Sequence, residues 1–216
     1  MMIKAFIFDV DGTLVDTRQL HISAWQRALK EFGLELSTSQ IQSQLGRRTI
    51  DIAKTLLPEN RKSDAARIAE TKWRIFREFH SDVKPVPKTK ELFNFLHKRG
   101  LDLALATSAI RGEAEFYVDI LSLREFTSAL VTAEDIQHSK PHPEIFLRAA
   151  AQLGVDPKES VVVGDSPHDM EAAKKAGMLA IGVMTGGFSE KDLQIAGANS
   201  IYRDIEDLFD HIEDIL

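Results

Sequence analysis

The chain has 216 residues, 27 basic against 33 acidic side chains for a net charge of −6, 44% hydrophobic residues and no cysteine. This is a globular composition, and it excludes disulfides, thiolate metal clusters and a cysteine nucleophile. The mild acidity, without blocks of Lys or Arg, argues against nucleic acid or an anionic membrane as the main partner. The length exceeds the roughly 120–150 residues of one α/β core but falls short of two full domains, which indicates one core with an addition.

Targeting signals are not evident. The N-terminal apolar run is too short for the h-region of a signal peptide, and no stretch approaches the ~20 apolar residues of a membrane span. We therefore expect a cytoplasmic protein that acts without a membrane, and the sequence leaves open whether it is a monomer or a homodimer.

Five short apolar runs, at residues 3–9, 101–107, 129–131, 160–164 and 179–183, predict buried strands. Between the later runs apolar residues recur at helical spacing, and one such segment begins after Pro143 and ends at Gly154. From Lys84 onward strand and helix alternate. The sequence thus predicts the α/β class, with a Rossmann-like parallel sheet covered by helices on both faces.

Residues 17–82 interrupt this alternation. Their apolar positions follow helical spacing, as in Leu20, Ala24, Ala28 and Phe32, and no strand-like run lies among them. We predict a catalytic core of residues 1–16 and 83–216 and an inserted all-α domain of residues 17–82.

The first chemical signal is the segment Asp9-Val10-Asp11-Gly12-Thr13-Leu14, which follows the first predicted strand. Paired carboxylates at a strand end repel each other unless a cation or a proton lies between them, and Mg²⁺ prefers such oxygen ligands. An Asx turn is the alternative. An EF-hand loop is excluded. If Asp9 is position one of the loop, Gly12 is at position four, whereas the loop needs its glycine at position six.

This segment resembles the first motif of the haloacid dehalogenase superfamily of phosphotransferases, and three further motifs follow in the same order. Residues 107–108 resemble the second motif, residues 140–143 the third and residues 164–169 the fourth. The resemblance spans essentially the whole chain, including a helical insert after the first strand, which in such relatives is a cap over the active site.

The resemblance implies catalytic roles for motifs one to three. Asp9 is expected to be the nucleophile that forms an aspartyl-phosphate, and Asp11 the general acid and base. Thr107 and Ser108 are expected to bind the phosphoryl group, although many relatives carry Asn at the position of Ser108. Lys140 is expected to contribute positive charge to both Asp9 and the phosphoryl group.

The fourth motif implies a Mg²⁺ site. Asp165 and Asp9 are expected to bind the metal through their side chains and Asp11 through its backbone carbonyl. Asp169 is expected to support Asp165, a metal-bound water or Lys140, or to be an ordinary acid of a first helical turn.

Candidate specificity residues lie mainly in the insert. His21 belongs to a segment that resembles sugar-phosphate-acting relatives, whereas Trp25 is most simply insert core. Arg47, in the run Gly46-Arg47-Arg48-Thr49, suits bidentate recognition of a substrate carboxylate or second phosphate, with a solvated helix start as the alternative. Arg111 is a weaker candidate. His142 and His168 are expected near the site without binding metal.

Together these features predict a Mg²⁺-dependent phosphomonoester hydrolase that acts on a small phosphorylated metabolite of the phosphoglycolate or sugar phosphate type. A phosphomutase of the β-phosphoglucomutase type uses the same motifs and is the first alternative. A dehalogenase needs no metal, and Asp11 together with the other charged motif residues argues against that activity. A signalling or binding protein that holds a phospho-aspartate without turnover remains the alternative from another class, although receiver modules of about 120 residues carry no comparable insert.

Overall fold

The structure is a computed structural model, and it describes residues 2–216. These residues form eight strands, β1 (Ala5–Phe8), β2 (Val15–Asp16), β3 (Lys84–Pro85), β4 (Asp102–Ala106), β5 (Ala129–Val131), β6 (Ser160–Gly164), β7 (Leu179–Val183) and β8 (Ser200–Tyr202). Six of them make a parallel sheet in the order β5-β4-β1-β6-β7-β8, and β2 pairs antiparallel with β3. The predicted α/β class with a parallel sheet is confirmed.

The same part of the chain forms ten α-helices, α1 (Arg18–Glu31), α2 (Thr38–Gln42), α3 (Thr49–Leu56), α4 (Ala65–Arg77), α5 (Thr89–Lys98), α6 (Arg111–Leu121), α7 (Glu144–Leu153), α8 (Pro167–Ala176), α9 (Glu190–Ala196) and α10 (Ile205–Asp210). None of these helices has the length and apolar character needed to cross a bilayer.

The central strand β1 shows why helices cover both faces of the sheet. Its side chains alternate between the faces, because successive residues of a strand point in opposite directions. Phe6 and Phe8 pack into an apolar cluster that includes residues of α5, α6 and α10, whereas Ile7 packs into a second cluster with α7, α8 and α9. All four residues of β1 are buried, so only its carboxyl end is available for chemistry.

The segment 17–82 packs around an apolar cluster of its own. Ile22, Trp25 and Leu29 of α1 meet Ile52 of α3 and Ile68 of α4. Within residues 17–82 every regular element is helical, and the β2–β3 pair joins the points where the chain leaves and rejoins the sheet region. Trp25 is 1% exposed within this cluster, in agreement with its predicted place in the insert core.

The five predicted strands are all present, shortened at 3–9 and 101–107 by one or two residues at each end. Sequence reasoning missed β8, because its three residues Ser200, Ile201 and Tyr202 form no apolar run. It also missed β2 and β3, which are two residues each and include Pro85.

Candidate active site

Parallel pairing brings the ends of three strands to one edge of the sheet. Phe8 of β1 is in register with Leu105 of β4 and Val163 of β6. Asp9 continues this alignment, since its backbone N–H donates to the carbonyl of Val163 at 2.9 Å. The first, second and fourth motifs therefore end side by side, as ligand sites do in parallel sheets.

Lys140 comes from the loop before α7 and reaches the same point. Its Nζ lies 2.5 Å from Asp9 Oδ1 and 2.7 Å from Asp169 Oδ1, and it donates to the carbonyl of Ala106 at 3.2 Å. The side chain is fully buried. Burial alone would lower the pKa of Lys140, but Asp169 and Asp9 hold it above its ordinary value, so the ammonium stays charged.

Three buried carboxylates surround this ammonium. Asp9, Asp165 and Asp169 each place an oxygen within 4.8 Å of the other two. The Thr13 hydroxyl lies 3.0 Å from Asp165 Oδ1 and 3.3 Å from Asp9 Oδ2. Burial raises the pKa of Asp165 and Asp9, and the mutual repulsion of the carboxylates adds to the rise.

The donor set fits a divalent metal ion. Three carboxylates and one ammonium would carry a net charge of −2 when all are ionised, and a bound cation would favour that state. Hard oxygen donors of this kind suit Mg²⁺. Two glycines keep this space open around Asp165: a Cβ at Gly12 would lie 2.5 Å from Asp165 Oδ2, and a Cβ at Gly186 would fall even closer. Asp169 has less freedom to bind a metal, because Lys140 engages one of its oxygens and Ser166 the other.

Asp169 also caps α8. The Ser166 hydroxyl donates to Asp169 Oδ2 at 2.5 Å, and the backbone N–H of Asp169 donates back to the Ser166 hydroxyl at 3.3 Å. The carboxylate of Asp169 therefore completes a capping box at the start of α8 and also forms an ion pair with Lys140.

Asp11 lines the same cavity with its carboxylate held by three donors. Thr17 Oγ1 lies 3.0 Å, His21 Nε2 2.7 Å and Tyr117 Oη 2.7 Å from one oxygen, Oδ1. Burial alone would raise the pKa of Asp11, but the opposing charge and hydrogen bond of His21, together with the bond from Tyr117, lower it to about 2. The carboxylate is thus held ionised through Oδ1.

The second motif is buried beside Asp9. Thr107 is fully buried, and its hydroxyl accepts a hydrogen bond from the N–H of Ala109 at 3.1 Å. Ser108 lines the cavity, and its hydroxyl donates to the carbonyl of Gly46 in the insert at 2.8 Å. Arg111, the weaker candidate, pairs with Asp135 at 2.6 Å and is not among the residues that line this cavity.

A cavity of about 50 Å³ lies between the sheet edge and the insert. His21 and Arg47 line it, as does Lys72 of α4. Arg47 Nη1 donates to Gln44 Oε1 at 2.6 Å and Thr55 Oγ1 at 3.2 Å, while its Nε is buried without a partner. Burial lowers the pKa of Lys72 to about 7 against the pull of Asp11.

His142 and His168 lie outside the group formed by Asp9, Asp165 and Asp169. His142 Nδ1 accepts from the N–H of Glu144 at 3.3 Å, and His168 Nε2 lies 3.1 Å from the carbonyl of Ser43.

Polar contacts join the insert to the core around the cavity. Gln42 Nε2 donates to the carbonyl of Gly186 at 2.6 Å, and the N–H of Arg48 donates to Ser139 Oγ at 2.9 Å. With the bond between Ser108 and the Gly46 carbonyl, these contacts hold the 42–48 segment over the sheet edge.

Sequence reasoning missed four residues that contribute to the site. Thr13 could have been predicted from its place in the first motif, because its hydroxyl can bridge the carboxylates of Asp9 and Asp165. Lys72 sits four residues before Phe76 and so on the buried face of α4, which marks it as unusual for a lysine. Thr17 and Tyr117 gave no comparable signal.

Comparison with known proteins agrees with this geometry. A model of the haloacid dehalogenase-like hydrolase family matches residues 6–183. A phosphorylated carbohydrates phosphatase of Thermotoga maritima is 31% identical, with 99% of this chain and 100% of the relative covered. The pyrophosphatase PpaX of Oceanobacillus iheyensis is 26% identical over 99% of each chain.

Among solved structures, the β-phosphoglucomutase of Clostridium difficile superposes with a TM-score of 0.87 at 25% identity, covering 99% of this chain and 96% of the other. The order of the motifs, the parallel sheet and the family match agree along most of the chain. The chain belongs to the haloacid dehalogenase-like hydrolase family.

Proposed function

We propose that the chain is a Mg²⁺-dependent phosphatase that hydrolyses a small phosphorylated metabolite through an aspartyl-phosphate on Asp9. The observation that carries this proposal is the buried group of Asp9, Asp165 and Asp169 around Lys140. A buried excess of negative charge next to a fixed ammonium suits a metal together with a phosphoryl group.

In the first half of the reaction, an oxygen of Asp9 attacks phosphorus and the bond to the leaving oxygen breaks. The electron pair of that bond goes to the leaving oxygen, which takes a proton from Oδ2 of Asp11. Because Asp11 is ionised in the free site, Oδ2 must first gain this proton from the bound phosphate monoester. Burial raises the pKa of Asp9, and Lys140 opposes this rise; in the proposed reaction Lys140 also offsets charge on the phosphoryl oxygens. Thr107 and Ser108, at the end of β4, are the proposed hydrogen-bond donors to that group.

In the second half, Asp11 accepts a proton from water as the water oxygen attacks phosphorus. The bond between Asp9 and phosphorus breaks, and inorganic phosphate is released. Asp9, Asp165 and the backbone carbonyl of Asp11 are the proposed Mg²⁺ ligands. Bound Mg²⁺ supplies positive charge that offsets the negative charge of the phosphoryl oxygens.

Residues 17–82 act in this proposal as a cap that closes over the substrate, excludes bulk water and determines specificity. His21, Arg47 and Lys72 line the insert side of the cavity and present cationic or hydrogen-bonding groups to an anionic metabolite. Pyrophosphatase and carbohydrate phosphatase relatives support a small substrate, with phosphoglycolate and sugar phosphates as the expected types. A cytoplasmic location stays an expectation.

The test is a panel of phosphoglycolate, hexose phosphates, nucleotides and pyrophosphate assayed for phosphate release with Mg²⁺. We expect hydrolysis that stops on chelation and returns with added Mg²⁺. Asp9→Asn should abolish it while leaving the fold intact. The control is Asp102→Asn, which makes the same change at the exposed amino end of β4. Full activity in Asp9→Asn would remove the nucleophile assignment.

A phosphomutase is the second candidate, supported by the close superposition with β-phosphoglucomutase. The fourth motif, Gly-Asp-Ser-Pro-His-Asp at residues 164–169, favours hydrolysis, because it looks more like the phosphoglycolate phosphatase type than like the Glu-Asp pair of the mutase type. Incubation of a hexose 1-phosphate with catalytic sugar bisphosphate separates the two activities. Isomerised sugar phosphate would identify a mutase, whereas free sugar and phosphate would identify a phosphatase.

A further inference from the structure

Tyr117 is a buried tyrosine of α6 whose hydroxyl contacts Asp11, a residue that lines the cavity. Its position in the helical stripe predicts an ordinary core residue, and the side chain is indeed fully buried. The hydroxyl nevertheless lies 2.7 Å from Asp11 Oδ1, the carboxylate of the proposed general acid. A buried phenol needs a partner, and here the partner is a reacting group.

The three hydrogen bonds to Asp11 all end on the same oxygen. Thr17, His21 and Tyr117 approach Oδ1, and no side-chain hydrogen bond of the described residues reaches Oδ2. A carboxylate held through one oxygen keeps the other available for proton transfer. The arrangement therefore fixes the orientation of Asp11 and leaves Oδ2 for the substrate.

The three donors come from different parts of the chain. Thr17 and His21 belong to the start of the insert, whereas Tyr117 belongs to α6, which packs on the sheet with Leu121 and Phe93. Any displacement of the insert moves the first two donors relative to the sheet. Tyr117 is the donor whose position depends on the core alone.

A neighbouring carboxylate, Glu113, contacts both His80 and Tyr117. Glu113 lies one turn before Tyr117 on α6 and is 4% exposed. Its Oε1 and Oε2 lie 2.9 and 3.1 Å from His80 Nε2, and the His80 ring stacks on Phe116 at 4.2 Å. Tyr117 also forms a side-chain hydrogen bond with Glu113, and burial raises the pKa of Glu113 to about 7. A protonated Glu113 can donate to the Tyr117 oxygen, which leaves the hydroxyl proton of Tyr117 for Asp11.

We propose that Tyr117 is a positioning residue that fixes Asp11 so that Oδ2 transfers the proton to the leaving oxygen. This inference rests on the proposed function, because it assigns a partner to the proposed general acid. The inference predicts how the effect of Tyr117 on kcat/KM depends on the leaving group of the ester. An alkoxide leaves only with a proton, whereas 4-nitrophenolate leaves readily without one, so the loss of Tyr117 should depend on the leaving group.

The experiment compares wild type, Tyr117→Phe and the control Tyr202→Phe with two esters, fructose 1-phosphate and 4-nitrophenyl phosphate, in the presence of Mg²⁺. The measured quantity is the ratio of kcat/KM for the two esters. An altered folded fraction changes both values equally and cancels in this ratio, so loss of stability cannot imitate the effect. Tyr202 lies on β8, remote from the cavity lining.

We expect Tyr117→Phe to lower kcat/KM for the sugar phosphate on the order of tenfold more than for the aryl phosphate. With the aryl ester kcat and KM should fall together, because Asp11 also acts as base in the step that both esters share. Tyr202→Phe should match wild type. An unchanged ratio in Tyr117→Phe overturns the inference alone. Wild-type protein that hydrolyses neither ester overturns the proposed function and the inference with it.

Discussion

Lys140 and Asp9 form a fully buried ion pair that joins the third motif to the end of β1. Nζ lies 2.5 Å from Oδ1, and neither side chain is more than 3% exposed. The same ammonium lies 2.7 Å from Asp169 Oδ1, so Lys140 forms ion pairs with two of the three buried carboxylates. A buried charge of this kind is costly to leave without its partner.

Lys140→Met should therefore lower both stability and activity. We expect the free energy of unfolding to fall by about 3–5 kcal/mol, because Asp9 and Asp169 lose their buried counter-charge. We expect kcat/KM to fall about 100- to 1000-fold through the loss of charge stabilisation at the phosphoryl group. Urea unfolding and steady-state kinetics measure the two effects.

The double variant Lys140→Met/Asp169→Asn separates the effect on stability from the effect on activity. It removes one of the two stranded carboxylates and should regain part of the lost stability, but none of the lost activity. A single variant as stable as wild type would contradict the ion-pair account.

Gly186→Ala tests the space around the proposed metal ligand Asp165. The added Cβ would collide with both the carboxylate and the backbone carbonyl of Asp165, and a backbone atom cannot move aside cheaply. We expect the Kd for Mg²⁺ to rise on the order of tenfold or more, measured by calorimetry or by Mg²⁺ activation of hydrolysis. Gly112→Ala, where no atom lies within 4 Å of the new Cβ, is the control. An unchanged Kd in Gly186→Ala would contradict the proposed site.

Lys72→Met should stabilise the fold while weakening substrate binding. Lys72 is 2% exposed, and its Nζ lies 3.6 Å from the ring centroid of Trp73. Burial lowers its pKa from 10.5 to about 7, so the folded chain binds this proton less tightly than the unfolded chain. Wild-type stability therefore decreases as pH falls from 10.5 to about 7, and the variant lacks this loss.

We expect a gain of about 2 kcal/mol for Lys72→Met at pH 6 that fades as pH approaches 10.5. KM for an anionic substrate should rise on the order of tenfold, because the cavity loses a cation. Unfolding curves across this pH range and KM measurements test both effects. Lys90→Met, on the exposed face of α5, should change neither. Equal stability of Lys72→Met and wild type at pH 6 would contradict the burial argument.

The sequence predicted the centre of the site because strand topology determines it. Asp9 and Asp165 follow two short apolar runs that predict strands, and the carboxyl ends of parallel strands lie at one edge of a sheet; the structure shows that these two strands are neighbours. The structure brings Lys140 to the same point, although nothing in its local spacing specifies the distance to Asp9. The resemblance to family motifs was needed for that step.

The residues that surround this centre could not be predicted in the same way. Tyr117 shares its helical stripe with Ala114 and Leu121, and periodicity cannot distinguish a tyrosine that only fills the core from one whose hydroxyl reaches Asp11. The contacts of Arg47 depend on how α3 and the 42–48 segment pack against the core, which no local pattern encodes.

The bonds between the insert and the core have a kinetic consequence. Gln42 binds the carbonyl of Gly186, the residue packed against Asp165, while the carbonyl of Gly46 binds Ser108. In the proposed function, a metabolite enters this cavity and phosphate leaves it when the cap of residues 17–82 opens, which breaks these hydrogen bonds. In that proposal the residence time of the product depends on the Gln42 amide, which lies outside the reacting group, and on the Ser108 hydroxyl. Sequence change in the 42–48 segment can thus alter turnover while the carboxylates remain untouched.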